Sequence, residues 1–246
     1  MQAMVFAAGM GTRLRPLTDT MPKALVEVAG KPLLYHVLMK LKAAGIRRVV
    51  INVHHFPDQI ISYVRNHDSF GMDIRFSDER DGLLETGGGV LHARPLLEGG
   101  DFLVHNVDIL SNLDIAGFLA QRRPDALSTV FVSERETARY ILFDKDMRMV
   151  GWTNVKTGEL RTPYPDLDLS ACRKLAFAGM HFMSRHIFDA FDETGCTGAF
   201  PIMDFYIRHC REYPIYGFVQ EGFRIMDVGK TACLPEAAEF LRSIST

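Results

Sequence analysis

The sequence has few cysteines, and none stands where a zinc site or a redox pair would need it. The four are Cys172, Cys196, Cys210 and Cys233, and no two of them form a CxxC motif. Residues 1–6 carry no basic leader or cleavage site, and their apolar run is far too short to span a bilayer. We therefore expect reduced thiols, a cytoplasmic protein and no membrane partner.

An excess of charge of either sign is also absent. The 246 residues carry a formal net charge of −2, with 24% charged and 47% hydrophobic residues. A chain without a broad basic field is a poor partner for a nucleic-acid polymer, so a bound anion must be held by a local site. The sequence has no Pro- or Ser-rich linker, low-complexity tract or internal repeat, which predicts a single domain over residues 1–246.

Short apolar runs alternate with helical spacing along the chain. This pattern is typical of an α/β fold in which helices cover a largely parallel sheet. Residues 4–8 predict a buried first strand, 32–44 an amphipathic helix, and about 87–97 a second helix that follows a glycine run. From residue 127 onward the pattern changes to strands separated by polar turns, which predicts a smaller antiparallel insertion.

The strongest functional signal is the glycine-rich segment 7–18, AAGMGTRLRPLT, which comes directly after the first predicted strand. Glycines at such a place let backbone N–H groups approach a phosphate closely, and the guanidinium of Arg13 matches phosphate oxygens in pairs. Arg15 suits a phosphate contact and a solvated surface charge equally well. The segment is neither a Walker A loop nor a full dinucleotide-binding fingerprint, and a tight turn would explain two glycines alone.

Two aspartates come after apolar stretches that lie far apart in the chain. Asp108 follows the run 102–105, and Asp227 lies within 224–229, RIMDVG. Carboxylates at strand ends suit a hard divalent cation, although an aspartate there is also a common turn or cap residue. The pair His54-His55 has no acidic or cysteine partner at ligand spacing, so we expect these histidines in a loop or in the core.

The segment 82–89, GLLETGGG, places three glycines at a predicted helix start. A nucleobase can lie against such a backbone, and an ordinary flexible loop with a helix N-terminus has the same composition.

These motifs together resemble those of the sugar-phosphate nucleotidyltransferase family, whose opening motif reads approximately L-A-A-G-x-G-T-R-L-x-P-L-T and then P-K. Residues 6–18 and Pro22-Lys23 fill every fixed position, with Phe6 in the leucine place. The form LETGGG looks like the N-acetylmuramate 1-phosphate uridylyltransferases, and the chain is similar overall to short members such as mannose-1-phosphate guanylyltransferases.

The resemblance implies a Rossmann-like mixed, mostly parallel sheet flanked by helices, with a nucleotide-binding part at about 1–125 and a sugar-binding part at about 126–246. It implies transfer of a nucleotidyl group to a sugar 1-phosphate with release of pyrophosphate. The expected partners are a sugar 1-phosphate and a nucleoside triphosphate, which would be UTP or GTP. A homo-oligomer is also compatible with the sequence. The other readings are a CTP-dependent phosphocholine-type cytidylyltransferase and a nucleotide-sugar-binding module with weak turnover.

The resemblance also implies roles for individual residues. The residues that it implies as nucleotide contacts are Ala8, Gly9, Gly11, Thr12, Arg13, Lys23, Glu79, Glu85, Thr86 and Gly88. Its sugar contacts are Asn106 and Gly179, and its catalytic residues are Arg13, Lys23, Asp108 and Asp227, with Mg²⁺ on the two aspartates. The chain departs from the family pattern at Val107 in N-G-D, and at Ile225 and Lys230 in W-x-D-V/I-G-T.

Overall fold

The structure is a computed structural model that describes residues 1–97 and 99–244, and these residues form fourteen strands, eight α-helices and five short 3-10 helices. The strands are β1 (Gln2–Phe6), β2 (Glu27–Val28), β3 (Lys31–Pro32), β4 (Arg48–Val53), β5 (Asp73–Asp78), β6 (Phe102–Asn106), β7 (Ile109–Ser111), β8 (Ser128–Ser133), β9 (Arg139–Phe143), β10 (Met149–Asn154), β11 (Glu159–Arg161), β12 (Arg173–Met183), β13 (Ile215–Phe218) and β14 (Ile225–Asp227). The helices are α1 (Leu33–Ala43), α2 (Pro57–Asn66), α3 (Glu85–His92), α4 (Arg94–Leu97), α5 (Ile115–Gln121), α6 (Ile187–Glu193), α7 (Ile202–His209) and α8 (Leu234–Ile244).

A ten-stranded mixed sheet forms the centre, with the order β11-β10-β9-β12-β6-β1-β4-β5 and with β8 and β13 beside β12. Strands β6, β1, β4 and β5 run parallel, and β12 pairs antiparallel with β6, β8 and β9. Because side chains alternate along a strand, Ala3 and Val5 of β1 pack on the face covered by α1, while Met4 packs on the face covered by α6 and α7. The predicted α/β class, with helices on a mixed sheet, is confirmed.

The smaller antiparallel unit is also confirmed. Strands β9, β10 and β11 pair antiparallel in sequence, as the polar turns between them predict. Strand β12 connects this unit to the parallel strands, and its register shifts between Phe177 and His181, where Gly179 has a φ of 72°.

Two predicted boundaries were wrong. The first strand spans 2–6 instead of 4–8, because the N–H groups of Ala7 and Ala8 bond to the side chain of Asn52 and not to a neighbouring strand. The helix expected over 87–97 begins at Glu85 and is interrupted at Ala93 before α4. Pro95 lacks the N–H that a continuous helix would need at that point.

The glycine run of α3 packs against the segment before α7. The N–H groups of Gly87 and Gly88 donate to the Phe200 carbonyl at 2.8 and 3.2 Å. A Cβ at Gly88 would lie 2.3 Å from the backbone oxygen of Gly198. These glycines therefore permit a close helix–loop contact inside the protein. Within the described residues, no helix combines the length and the apolar character needed to cross a bilayer.

Gly88→Ala is expected to lower the free energy of unfolding by about 1–3 kcal/mol, because the added methyl meets backbone that cannot rotate away. Alanine's higher helix propensity, about 1 kcal/mol, offsets part of this loss. Urea denaturation measures the change. Gly82→Ala is the matched control, since a Cβ at Gly82 would have no atom within 4 Å. A Gly88→Ala protein as stable as the control would contradict the packing argument.

Candidate active site

The candidate site lies where the parallel strands end. Phe6 at the end of β1 is in register with Asn52 of β4 and Asn106 of β6, so the segments that follow these strands meet at one edge of the sheet. A cavity of about 220 Å³ opens at that edge. We call it the loop cavity, and its lining residues are Phe6, Ala7, Ala8, Gly9, Lys23, Asn52, Leu83, Glu85, Thr86, Asn106, Val107 and Asp108.

Asn52 holds the start of the glycine-rich loop. Its Oδ1 accepts hydrogen bonds from the N–H groups of Ala7 and Ala8, at 2.7 and 3.3 Å, and its Nδ2 donates to Glu79 Oε1 at 2.7 Å. The sequence reasoning missed Asn52. An amide inside the otherwise apolar run 49–53 is the signal that could have revealed it, since a buried amide needs hydrogen-bond partners.

Glu79 is 3% exposed and does not line the loop cavity. It accepts hydrogen bonds from Asn52 and from the N–H of Leu84, the latter at 3.3 Å. Burial raises the pKa of Glu79, and the hydrogen bond from Asn52 partly opposes this shift. Its position braces both the glycine-rich loop and the segment that leads into α3.

The turn after the loop depends on Gly11, which has a φ of 64°. A Cβ there would lie 2.8 Å from Thr18 Cγ2, and the Thr18 hydroxyl donates to the Gly11 carbonyl at 2.8 Å. The Nε2 atom of His55 lies 3.1 Å from the Thr18 carbonyl and supports the same turn, while His54 Nδ1 lies 2.7 Å from the Glu79 carbonyl. The expected loop histidines thus contact backbone at the base of the site.

Lys23 and Asp108 form an ion pair between Nζ and Oδ2 at the floor of the loop cavity. Their side chains are only 12% and 14% exposed. A largely buried pair of this kind is sensitive to loss of either member, because the remaining charge keeps its desolvation cost without a partner.

The short β7–β14 ribbon brings the two predicted aspartates together. Asp227 is in register with Ile109, and the N–H of Val228 donates to the Asp108 carbonyl at 2.8 Å. A Cβ at Gly229 would lie 2.6 Å from both Asp227 Oδ1 and Arg13 Nη2. Glycine at this position therefore lets Arg13 of the loop approach Asp227.

These carboxylates are hard oxygen donors next to a loop that carries cations. Within residues 1–97 and 99–244 there is no group of three or more His, Cys, Asp or Glu side chains arranged around one point. Two protein carboxylates with substrate phosphates and water completing the shell are the usual arrangement for Mg²⁺.

Of the nucleotide contacts expected in the segment around α3, Glu85 and Thr86 line the loop cavity and Gly88 does not. Gly88 is buried and its N–H is bonded to Phe200, so it does not present this donor to the loop cavity. Thr86 lines the cavity, and its hydroxyl oxygen accepts from the N–H of Ile202 at 2.9 Å. Glu85 is exposed at the cavity with a φ of 60°, a strained value for a residue with a side chain.

A second, larger cavity of about 550 Å³ adjoins the first and shares Phe6, Thr86 and Asn106 with it. We call it the platform cavity. The expected sugar residue Gly179 lies next to this boundary, since a Cβ on it would be 3.2 Å from Asn106 Nδ2. The side chains that sequence reasoning missed here include Arg135, Arg139, Trp152, Arg161, Phe177 and His181.

A buried polar chain supports the platform cavity from behind. The Tyr206 hydroxyl lies 2.7 Å from Ser128 Oγ and 2.9 Å from His181 Nδ1. Burial lowers the pKa of His181 to about 3, so the imidazole is neutral at physiological pH.

The fold and this cavity define an α/β protein whose candidate site lies at the carboxyl edge of its parallel strands. The model of the family described as Nucleotidyl transferase matches residues 2–147, and the chain belongs to this family. The family resemblance in the sequence is thereby confirmed. Nucleotidyltransferases of this family generally use a divalent metal.

Two relatives are about half identical to this chain over the stretch that matches. Both are named N-acetylmuramate alpha-1-phosphate uridylyltransferase. The one from Caulobacter vibrioides is 52% identical over 108 residues, 43% of this chain and 45% of the relative. The one from Neisseria meningitidis is 48% identical over 114 residues, 46% of this chain and 49% of the relative. This chain thus matches about half the length of each.

Solved structures share the fold over nearly the full chain. A putative glucose-1-phosphate thymidylyltransferase from Bacillus anthracis, in complex with a sucrose, has a TM-score of 0.80 at 16% identity and covers 98% of this chain and 96% of its own. HddC from Yersinia pseudotuberculosis, complexed with GMP-PN, has a TM-score of 0.75 at 21% identity and covers 98% and 99%.

Glu79→Gln is expected to change the pH dependence of stability. The folded-state pKa of Glu79 is raised, so its burial favours the protonated form, and this contribution is lost as pH rises above the ordinary value of 4.5. A glutamine side chain at this position cannot ionise. The free energy of unfolding of the variant, relative to that of wild type, should therefore increase as the pH rises from 4 to 8. Urea denaturation at each pH measures it. A constant difference across this range would show that Glu79 has no raised pKa.

Proposed function

We propose that this protein joins a nucleoside triphosphate to a sugar 1-phosphate and releases pyrophosphate. The observation that carries the proposal is the convergence of Arg13, Lys23, Asp108 and Asp227 on the glycine-rich loop. Cations and carboxylates at one point suit a reaction between two polyanions, whose mutual repulsion is the main obstacle. Membership of the Nucleotidyl transferase family supports the same reaction class.

The proposed chemistry is a direct in-line displacement. An oxygen of the sugar 1-phosphate attacks the α-phosphorus, the new P–O bond forms, and the bond to the β-phosphate oxygen breaks with its electron pair leaving on pyrophosphate. The loop from Ala8 to Thr12 would hold the triphosphate, with Arg13 anchoring the departing pyrophosphate. Lys23 would neutralise charge on the reacting phosphates.

Asp108 and Asp227 would hold Mg²⁺. The residues fit this ion because both are carboxylates, which are hard oxygen ligands, and because the β7–β14 ribbon pairs the backbone next to Asp227 with that of Asp108. Bound Mg²⁺ would supply positive charge against the phosphate oxygens. The ion pair with Lys23 orients the Asp108 carboxylate toward the cavity.

The loop cavity would take the nucleotide and the platform cavity the sugar, with Asn106 at their boundary. UTP is favoured as the nucleotide by the names of the two relatives above. GTP is the second candidate, because a mannose-1-phosphate guanylyltransferase from Mycobacterium tuberculosis is 32% identical over 154 residues, 61% of this chain and 43% of the relative.

The test is pyrophosphate release with Mg²⁺, crossing UTP, GTP, CTP and dTTP with a panel of sugar 1-phosphates and with phosphocholine. Steady release from one triphosphate and a sugar 1-phosphate is the expected result. If pyrophosphate is released only with CTP and phosphocholine, the acceptor is phosphocholine and not a sugar 1-phosphate. No release from any pair by a folded, nucleotide-binding protein would overturn the proposal.

Lys23→Ala is expected to lower kcat on the order of a hundredfold or more, as the loss of a charge contact to the transition state does. The matched control is Lys145→Ala, because the Lys145 side chain is 87% exposed and pairs with its neighbour Asp146, away from the loop cavity. Steady-state pyrophosphate release gives both values. A kcat equal to that of the control would remove Lys23 from the mechanism.

Asp227→Asn is expected to raise the Mg²⁺ concentration for half-maximal activity on the order of tenfold, because a neutral amide is a weaker ligand for a hard cation. A Mg²⁺ titration at saturating substrates measures the shift. Asp146→Asn removes an exposed carboxylate elsewhere and should leave the titration unchanged. An identical Mg²⁺ requirement in the two variants would show that Asp227 is not a metal ligand.

A further inference from the structure

The buried polar chain behind the platform cavity ends at a backbone carbonyl. Ser128 Oγ donates to the Phe182 carbonyl at 3.0 Å and lies 2.7 Å from the Tyr206 hydroxyl. That hydroxyl in turn lies 2.9 Å from His181 Nδ1. Ser128 and Tyr206 are 0% exposed and His181 is 1% exposed. Because bulk water does not reach these side chains, the protons of the three contacts come from the side chains themselves.

The carbonyl fixes the direction of all three hydrogen bonds. A carbonyl oxygen only accepts, so the Ser128 proton lies on that contact. The Tyr206 proton then lies between the two hydroxyl oxygens, because at 2.7 Å without a proton their lone pairs would repel each other. The tyrosine oxygen can therefore only accept from His181, and Nδ1 of the imidazole carries the proton of that contact.

This contact uses the single ring proton of His181. Burial lowers the pKa of His181 to about 3 and raises the pKa of Tyr206, so both groups are neutral at physiological pH. A neutral imidazole with its proton on Nδ1 has a bare Nε2, which is a hydrogen-bond acceptor. Within residues 1–97 and 99–244, no donor is bonded to this nitrogen.

The bare nitrogen lies on the side of the platform cavity. His181 lines this cavity and Tyr206 does not, so the cavity meets the ring on the edge away from the tyrosine. The rings of Phe6 and Phe177, which also line the cavity, lie 6.3 and 5.7 Å from the imidazole. Since Phe6 also lines the loop cavity, this is the end of the platform cavity that is nearest to the reacting phosphates of the proposed function.

We propose that Ser128 and Tyr206 are positioning residues that hold His181 with its proton on Nδ1, so that Nε2 accepts a hydrogen bond from a hydroxyl of the acceptor sugar. The inference rests on the proposed function. Hydroxyls are donors that sugar 1-phosphates carry, and the arginine side chains of the same cavity can only donate. The imidazole thus distinguishes a group that can donate from one that cannot, because a buried acceptor left without a donor weakens binding.

Imidazole ¹⁵N NMR tests the tautomer directly, because a protonated ring nitrogen and a bare one have well-separated chemical shifts. The signals that disappear in His181→Phe identify this residue among the nine histidines. We expect a protonated Nδ1 and a bare Nε2 in wild type. The sugar 1-phosphates of the activity panel, with N-acetylmuramate 1-phosphate among them, are then added with UTP and EDTA so that no turnover occurs. The sugar that binds should shift the Nε2 resonance.

Ser128→Ala removes the acceptor of the Tyr206 hydroxyl, whose remaining neighbour is Nδ1 of His181. The ring proton should therefore move to Nε2, where it would face the donor of the sugar. The Kd of that sugar, measured by calorimetry, should rise about tenfold or more, while the Kd of UTP changes less than about threefold.

Ser133→Ala is the matched control. It removes another buried serine hydroxyl of β8, one that has no hydrogen-bond partner among the described residues and does not line the platform cavity. This variant should keep the wild-type tautomer and the wild-type affinity for the sugar. Circular dichroism confirms that each variant is folded, and the wild-type spectra decide the question if Ser128→Ala does not fold.

A bare Nδ1 in wild type would overturn the inference, and so would an Nε2 resonance that no sugar of the panel shifts. Equal affinity for the sugar in folded Ser128→Ala and Ser133→Ala proteins would also overturn it. Failure of the proposed function has a different signature: a sugar that shifts the Nε2 resonance, with no pyrophosphate released after Mg²⁺ is added.

Discussion

The site depends on one buried amide, that of Asn52. The N–H groups of Ala7 and Ala8 are buried at the end of β1, where no strand pairs with them, and leaving such groups unbonded costs about 1–3 kcal/mol each. Asn52 satisfies both with its carbonyl oxygen, and Glu79 fixes the orientation of the amide by accepting from its nitrogen. The chain therefore leaves the sheet with both N–H groups bonded, and these bonds position the start of the glycine-rich loop.

A second constraint is the short β7–β14 ribbon, in which a strand near the C-terminus pairs with the strand that follows Asp108. It places Asp227 beside Asp108, although more than a hundred residues separate them. Each carboxylate has a cation near it: Lys23 pairs with Asp108, and the guanidinium of Arg13 lies across Gly229 from the Asp227 carboxylate. A side chain at Gly229 would meet the ends of the Arg13 and Asp227 side chains, so glycine at this position leaves both of them in place.

The two cavities are built on two kinds of sheet. The loop cavity lies at the ends of parallel strands, where backbone N–H groups and loop cations collect. The platform cavity uses the flat face of an antiparallel unit, where cross-strand rows present side chains side by side. The long strand β12 joins both units, so the bulge at Gly179 brings the platform up to Asn106 and the shared boundary.

The sequence by itself determined the local features: the α/β alternation, the antiparallel unit, and a glycine-rich loop with Arg13 and Lys23. Each follows from side-chain periodicity or from backbone freedom at glycine, which act over a few residues. Only the tertiary structure decided that Asn52 braces the loop, that Gly88 packs inside, and that Arg139 faces a cavity. These depend on pairings between distant strands and helices, whose register is set by burial of the whole sheet and is not encoded in any short segment.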